Sequence, residues 1–476
     1  MIPKPFLVAL SVPLWLAGCA VPAPPSATAT IASPAQWQAP LPHQGRLADL
    51  GQWWQRFDDP LLITLITAAQ QVSPTLASAA ARIEQARSTQ RLIGAGSRPQ
   101  VEAAGSTSRG RQTTLIGAPL AMLSQASLQA SWETDLFGGI AASRDAAQAR
   151  VQGAQAQWHE ARVSVAAELA NHYFGWRSCL ALVALARSDS DSRHTSERMA
   201  RLTAQAGLAT PASAALARAS AAEGAGRLTQ QQAQCDTEVK AMVAMTALDE
   251  ADLRQKLLSA PVGTAQAAPF SIASIPAQAL LQRPDLYQAD RQVAAASAEV
   301  GSAQAERYPR LTLSGSIGQL NVRSGGASTD ITTWSMGPLA ISLPILDGGK
   351  SAANLAAANA RYAEAVAVYQ ARARQAVREV EEALVNLDSI NARRADVQAA
   401  AQSYLAVFEA SDLRYKAGLA SLAEREDARR SLLAAQTLHI GLQRDALNAW
   451  VALYRAVGGG WTPEANPDCA SDRCKP

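Results

Sequence analysis

The 476 residues carry 43 Lys and Arg against 40 Asp and Glu, a net charge of +3, too small an excess to point to a nucleic-acid partner. Aromatic residues make up only 5% and alanine recurs throughout, so long helices in this chain must pack through small side chains rather than bulky cores. After the N-terminal segment no apolar run reaches about eighteen residues, so no membrane-spanning helix is expected.

Lys4 followed by the apolar stretch Phe6 to Leu16 has the shape of a signal peptide, and the stretch is too short to cross a membrane. It ends in Leu16-Ala17-Gly18-Cys19, small residues before a cysteine, as in a bacterial lipobox. Residues 1–18 are then the signal peptide, and Cys19 becomes the mature N-terminus, bearing N-palmitoyl and S-diacylglycerol groups. The other reading is an ordinary signal cleaved elsewhere, with Cys19 incidental. Ala20 stands where an inner-membrane retention signal would have Asp, which points to the outer membrane. Residues 19–60 form a Pro-, Ala-, Ser- and Thr-rich tether followed by a tryptophan-rich segment. With the proline-bearing linker 259–276 and the tail 462–476, that segment is spare material for a belt around a bundle.

The rest of the chain is a duplication. Pro74 and Pro284, Pro99 and Pro309, and Gly138 and Gly348 are each 210 residues apart, and Gly207 and Gly418 are 211 apart. The first repeat covers 61–258, with a strand hairpin at about 99–137; the second covers 277–461, with a hairpin at about 309–346. Function is expected on the axis that such copies surround. In copy one a long helix is predicted over Ile140 to Ala206 and another helical stretch over Pro211 to Asp252. In copy two, Lys350 to Tyr415 has no proline or glycine except Gly349 just before it, which gives roughly 100 Å of helix. Its apolar seam runs Val366, Tyr369, Ala373, Ala376, Val380, Ala383, Leu387, Ile390, Arg394, Val397, Ala401, Tyr404, Phe408, in steps of three and four. Leu128, Ala130, Trp132, Thr134 and Leu136 alternate with polar residues, as do Leu311, Leu313, Gly315 and Ile317. One apolar and one polar face per strand is the pattern of an outer-membrane barrel, and the other reading is a half-buried soluble sheet. Two hairpins give four strands, which cannot close alone, so several chains must share a barrel.

Several short motifs then coincide. They are Trp53-Trp54 with Phe57-Asp58-Asp59-Pro60-Leu61; Trp132-Glu133-Thr134-Asp135-Leu136-Phe137-Gly138; Arg283-Pro284-Asp285-Leu286; Tyr308-Pro309-Arg310-Leu311-Thr312-Leu313; and Gly458-Gly459-Gly460-Trp461. With these the chain resembles the outer membrane factor family, the TolC-like, NodT-type efflux lipoproteins. The resemblance implies a homotrimer, mostly α, in which long antiparallel helices form a periplasmic α-barrel tunnel. Four strands per chain would complete a twelve-stranded β-barrel in outer membrane lipid. It implies a passive duct that takes drugs and other toxic small molecules from an inner-membrane pump (of RND, MFS or ABC type) through a periplasmic adaptor, or membrane fusion, protein. It also places a periplasmic gate after the Ala-Gly-Leu turn: Tyr415 before Gly418, and Glu424 and Asp427 after it. The copy-one equivalents, Ser213 and Leu216, are uncharged, so the acid ring would be threefold. This chain departs from the family in its highly charged run Glu424-Arg425-Glu426-Asp427 with Arg429-Arg430, where Glu426 and Arg430 sit at i,i+4 as on a solvated face.

Four thiols remain once Cys19 carries lipid. Cys179 and Cys235 each lie 28 residues from Gly207. A turn at Gly207 between antiparallel helices sets them opposite one another, about 40 Å from the turn, where an oxidising periplasm favours a disulfide. The alternative is two separate small core residues. Cys469 and Cys474 in the tail are the second candidate pair. No enzyme is expected: His43, His159, His172, His194 and His439 form no zinc-binding pattern, and no Gly-x-Ser-x-Gly elbow exists. No cofactor and no metal are expected. Two other functions suit the same features, the outer membrane duct of a type I protein secretion system and a structural periplasmic coiled-coil lipoprotein.

Overall fold

The computed structural model describes residues 37–39, 50–111, 120–259, 280 and 283–461. Cys19, Cys469 and Cys474 lie outside them. A 3-10 helix, Leu50–Phe57, is followed by α1 (Pro60–Val72), α2 (Pro74–Ala95), β1 (Gln100–Arg111), β2 (Leu120–Thr134), α3 (Gly139–Gln205), α4 (Pro211–Thr246) and α5 (Glu250–Ser259). The second copy gives α6 (Pro284–Ala305), β3 (Arg310–Ser324), β4 (Ala327–Ser342), α7 (Lys350–Lys416) and α8 (Leu422–Ala456). The long helices α3 and α7 are each 67 residues, so the duplication in the sequence is a duplication of elements. One stretch differs from expectation. The helix read over Pro211 to Asp252 ends at Thr246, where Ala247 turns left-handed (φ 53°). The Asp249 carboxylate then takes the amides of Ala251 (2.8 Å) and Asp252 (3.3 Å), which starts α5 as a separate helix.

The chain divides into two compact units, and each draws on both copies. The strand unit takes its described residues from Ala80–Ala156 and Tyr287–Ala371. Its four strands form one antiparallel sheet in the order β1-β2-β3-β4. The register lines up Ala103, Leu128, Ile317 and Trp334 across all four strands on one face, and Trp132, Leu313 and Leu339 across three. The same pleat puts Glu102, Gln129, Ser316 and Ser335 on the other face. The apolar face is uncovered within the chain: Trp334 is 77% exposed and Met336 85%. Gly318 sits where an added Cβ would lie 2.7 Å from the Ala126 carbonyl oxygen, so the β2–β3 seam requires glycine there.

Sheet passes to helix through paired acidic caps. Asp135 accepts from the amides of Ile140 (3.1 Å) and Ala141 (2.7 Å) at the start of α3. Asp347 accepts from those of Gly349 (2.9 Å) and Ser351 (2.8 Å) at the start of α7. Ser351 and these amides hold the Asp347 carboxyl down to about 2. Alanine then packs on alanine: Ala146 and Ala149 cluster with Ala295, and Ala365 with Ala296 and Val293.

The helical unit takes its described residues from Ala32–Ala79, Gln157–Leu286 and Arg372–Pro476, and it holds the main core. Trp53 packs against Tyr454 (5.0 Å between rings) and Trp450 (6.5 Å), and Phe57 against Phe174 (5.3 Å). The acidic pair after Phe57 has a mechanical reason. Asp59 caps α1 through the Leu62 amide (3.2 Å), and its other oxygen takes Tyr173 Oη (2.7 Å) and Arg177 (2.9 Å) on α3. Burial, and then the bond to Asp59, push the Tyr173 hydroxyl above its ordinary range.

Arg283 explains the Arg-Pro-Asp-Leu motif. It is buried, grips Asp285 with two bonds (2.9 and 2.7 Å), reaches Glu379 on α7 (2.8 Å), and donates to the Ala456 carbonyl oxygen at the end of α8 (2.7 Å). Pro284, with no amide hydrogen to place, takes the first position of α6. Glu381 receives the Gln38 and Ala39 amides (2.6 and 2.8 Å) and so fastens the N-terminal segment to α7.

Of the predicted α7 seam, Ala373, Ala376, Val380, Ala383, Leu387, Ile390 and Val397 are buried. Arg394 and Tyr404 are exposed. Cys179 on α3 and Cys235 on α4 are joined by a disulfide, with Cα atoms 5.5 Å apart.

Candidate functional site at the helix turns

The two Ala-Gly-Leu turns are built alike. Gly207 and Gly418 have φ of 72° and 73°, a conformation in which a side chain would be strained. The amides of Leu208 and Leu419 then bond back to the carbonyls of Thr203 (2.9 Å) and Arg414 (2.8 Å), closing each long helix. Three residues after each glycine comes an N-cap. Thr210 accepts from the Ser213 amide (3.2 Å), and Ser421 from the Glu424 amide (3.2 Å). Both turns leave their leucine outside: Leu208 is 81% exposed and Leu419 71%. The sequence reading gave these leucines no role beyond marking the repeat.

The predicted gate residues fall into three different environments. Glu424 is the third residue of α8 and completes a capping box, taking the Ser421 amide at 3.0 Å. Asp427 is exposed and paired with Arg430, its neighbour one turn on. Tyr415 is half-buried beneath Arg425, whose guanidinium lies 5.8 Å from its ring centre and 5.7 Å from that of Phe408. The i,i+4 spacing pointed to a Glu426–Arg430 pair. Glu426 instead binds Arg425 (2.9 Å) and Arg429 (2.6 Å), which have turned inward and left Arg430 to Asp427.

Those inward pairs belong to a buried charge network across four helices. Lys416 (2.7 Å) and Arg425 (2.6 Å) bond Asp412 and hold its carboxyl below the usual carboxylate range. Ser196 on α3 donates to Glu426 (2.8 Å). Arg429, buried, binds both the carboxylate and the main-chain carbonyl of Asp189 on α3, the latter at 3.2 Å. Asp189, also buried, takes Arg193 (2.9 Å) and Arg227 of α4 (3.4 Å). Gly224 makes room for this: a Cβ there would meet Arg193 Cδ at 2.7 Å. The α3–α4 hairpin is thus locked to the α7–α8 hairpin through Asp189 and Arg429. Neither residue was singled out from the sequence, where the only trace of Arg429 is its place in a charged run.

Among the described residues no group of three or more His, Cys, Asp or Glu could hold a metal ion, and no helix is long and apolar enough to cross a membrane. What the network does in this structure is hold two hairpin tips together.

Comparison with known proteins agrees in extent and in fold. The family model described as outer membrane efflux protein matches residues 65–267 and 275–459, one match for each copy. The pyoverdine export outer membrane protein OpmQ of Pseudomonas putida is 30% identical, over 96% of this chain and 98% of its own. The outer membrane protein OprJ of Pseudomonas aeruginosa is 29% identical, over 95% of each chain. Among solved structures, the Campylobacter jejuni outer membrane channel CmeC superposes with a TM-score of 0.81 at 23% identity, over 90% of this chain and 92% of that one. The outer membrane protein VceC of Vibrio cholerae gives 0.74 at 27%, over 86% and 99%. A four-stranded sheet with long helices, built twice over and matched end to end, leaves one assignment: this chain belongs to the outer membrane efflux protein family.

Proposed function

We propose that three copies of this chain form one passive duct through the outer membrane, fed with small toxic molecules by an inner-membrane pump and a periplasmic adaptor. The observation that carries this reading is the open sheet. Among the described residues β1 and β4, of 12 and 16 residues, each leave one edge unpaired, beside an apolar face that none of those residues covers. In hydrocarbon each unpaired backbone group costs several kcal/mol, so two such edges amount to roughly tens of kcal/mol. Joining β4 of one chain to β1 of the next removes that cost, and three chains give twelve strands. Cys19, with its N-palmitoyl and S-diacylglycerol groups, adds a second anchor. The exposed Leu208 and Leu419 are apolar knobs that suit an adaptor's helical tips.

The gate follows from the charges at the turns. In this reading Asp427, exposed on α8 and paired with Arg430, and Tyr415, half-buried beneath Arg425, approach the axis from three chains. Glu424 stiffens the start of the helix that carries Asp427, through its cap. Reconstitution in planar bilayers tests the whole reading. Discrete cation-preferring pores are expected, with block by multivalent cations weakened in Asp427→Asn and little changed in Glu424→Gln, which keeps the cap. A protein that inserts without conducting, or an Asp427→Asn pore with wild-type block, overturns the duct or the gate respectively.

A further inference from the structure

Away from the turns, the helical unit contains a cavity of about 290 Å³ where α3, the start of α6, α7 and the end of α8 meet. Three arginines reach it. The charge of Arg283 is consumed by Asp285 and Glu379. Arg372 of α7 and Arg455 of α8, both exposed residues, also line the cavity, and among the described residues neither guanidinium has a hydrogen bond or ion pair. Glu160 of α3 lines it too, half-buried and likewise without a partner. Two unpaired guanidinium groups around a concave space are the donor set that phosphate and sulfate recognition uses, because each offers a planar fork to a tetrahedral oxyanion.

We propose that this cavity is a binding site for a tetrahedral dianion of the phosphate or sulfate type, held by Arg372 and Arg455, with Glu160 as a protonatable wall that makes binding tighter in acid. The sign is fixed by the surroundings. Burial and the nearby Asp285 raise the Glu160 carboxyl, while Arg372, Arg283 and Arg455 pull it back down. The groups around it are Arg283 and Asp285 from the start of α6, Arg372 and Glu379 from α7, and Arg455 from α8. On its own helix, Arg162 is engaged with Gln70 at 3.4 Å. Since Asp285 and Glu379 stay bound to Arg283, Glu160 is the one carboxyl there whose protonation changes the charge an anion meets. Ionised, it brings the cavity's three arginines and three carboxylates to balance; protonated, it leaves one net positive charge and gains a hydrogen to donate.

The test is calorimetric titration of the full-length protein, in an uncharged detergent, with sodium sulfate at constant ionic strength. Sulfate stays a dianion across the range, so any pH dependence belongs to the protein. Saturable binding is expected, tighter at acid than at neutral pH, because the Glu160 carboxyl is raised. Arg372→Gln with Arg455→Gln should weaken it by roughly tenfold or more, while the Lys pair at the same positions should keep much of it. Glu160→Gln should bind more tightly at the higher pH and flatten the pH dependence. A parallel titration with glycerol phosphate separates two sources of the same chemistry: tighter binding of the ester identifies a lipid or sugar phosphate, and equal binding a free ion. Absence of saturable binding, or a double Gln variant that binds as wild type does, overturns the site. A Glu160→Gln variant that binds more weakly overturns the role of Glu160. Because none of these readouts requires a pore, failure here leaves the duct reading standing, and the reverse holds.

Discussion

Arg429 and Asp189 are 240 positions apart in sequence and share one buried bond that joins two hairpins. Removing one member of such a pair strands the other charge away from water, which costs about 3–5 kcal/mol, whereas replacing both with apolar groups of similar volume is often neutral. Arg429→Met and Asp189→Leu should therefore each destabilise the purified protein by about that much in denaturant titrations. The double variant should recover most of the loss. If the two single effects add without recovery, the pair is not the element that holds the hairpins. Each single variant should also conduct more than wild type in bilayers, because the lock is broken while the tips remain. Sequence reasoning stopped short of this bond for a physical reason. Local spacing reports which residues can meet within one helix, and there it favoured Glu426 with Arg430. The choice among partners is made by a carboxylate arriving from another helix, and by the space Gly224 leaves for Arg193. Neither has a local signature.

At the scale of elements the reading came much closer. The two long helices, the hairpins and the turns at Gly207 and Gly418 all follow from period, proline and glycine. The buried part of the α7 seam runs from Ala373 to Val397, while Arg394 and Tyr404 on the same seam stay exposed. A repeat of 3.5 residues specifies which positions can face a partner, not whether this chain supplies one. The break at Ala247 was missed because alanine carries no turn signal; Asp249, with its side-chain cap, was the available clue. The Cys179–Cys235 bond gives the clearest prediction at this scale. It closes 56 residues of chain, which on loop entropy is worth roughly 4 kcal/mol. The positions one repeat further on, Ile390 and Ala446, are buried apolar residues, so only the first hairpin is stapled. Reduction, or Cys179→Ala with Cys235→Ala, should lower the unfolding midpoint and raise amide exchange in α3 and α4 before α7 and α8. Peptide mapping without reductant should recover the linked pair. Equal exchange in both hairpins would show that the bond does not stiffen one selectively.

For the whole molecule, the exposed face of the sheet determines what the chain must do. A positive charge placed on a lipid-facing strand residue near mid-bilayer costs about 2–4 kcal/mol, and on the opposite face far less. Trp334→Arg or Ile317→Arg should thus reduce the yield of detergent-resistant oligomer in outer membrane fractions, while Gln129→Arg, on the other side of the pleat, should leave it near wild type. A reversal of that order would mean the polar face meets lipid. Family membership was legible here because its motifs do mechanical work. Arg283 ties three helices together, and Asp59 fixes the entry into the core.

The staple in the first hairpin also sets a clock. Cys179 and Cys235 are 5% and 8% exposed in the folded chain, so once α3 and α4 have closed, neither an oxidant nor an oxidising enzyme can reach the sulfurs. The bond must form on the newly exported chain, before the hairpin zips and before any strand enters lipid. Biogenesis therefore carries an order of events written into packing: oxidation first, helix pairing second, assembly last. A chain that folds in a reducing periplasm should remain a dithiol after the oxidant is restored, and labelling with a thiol reagent before and after unfolding would reveal how long that window stays open.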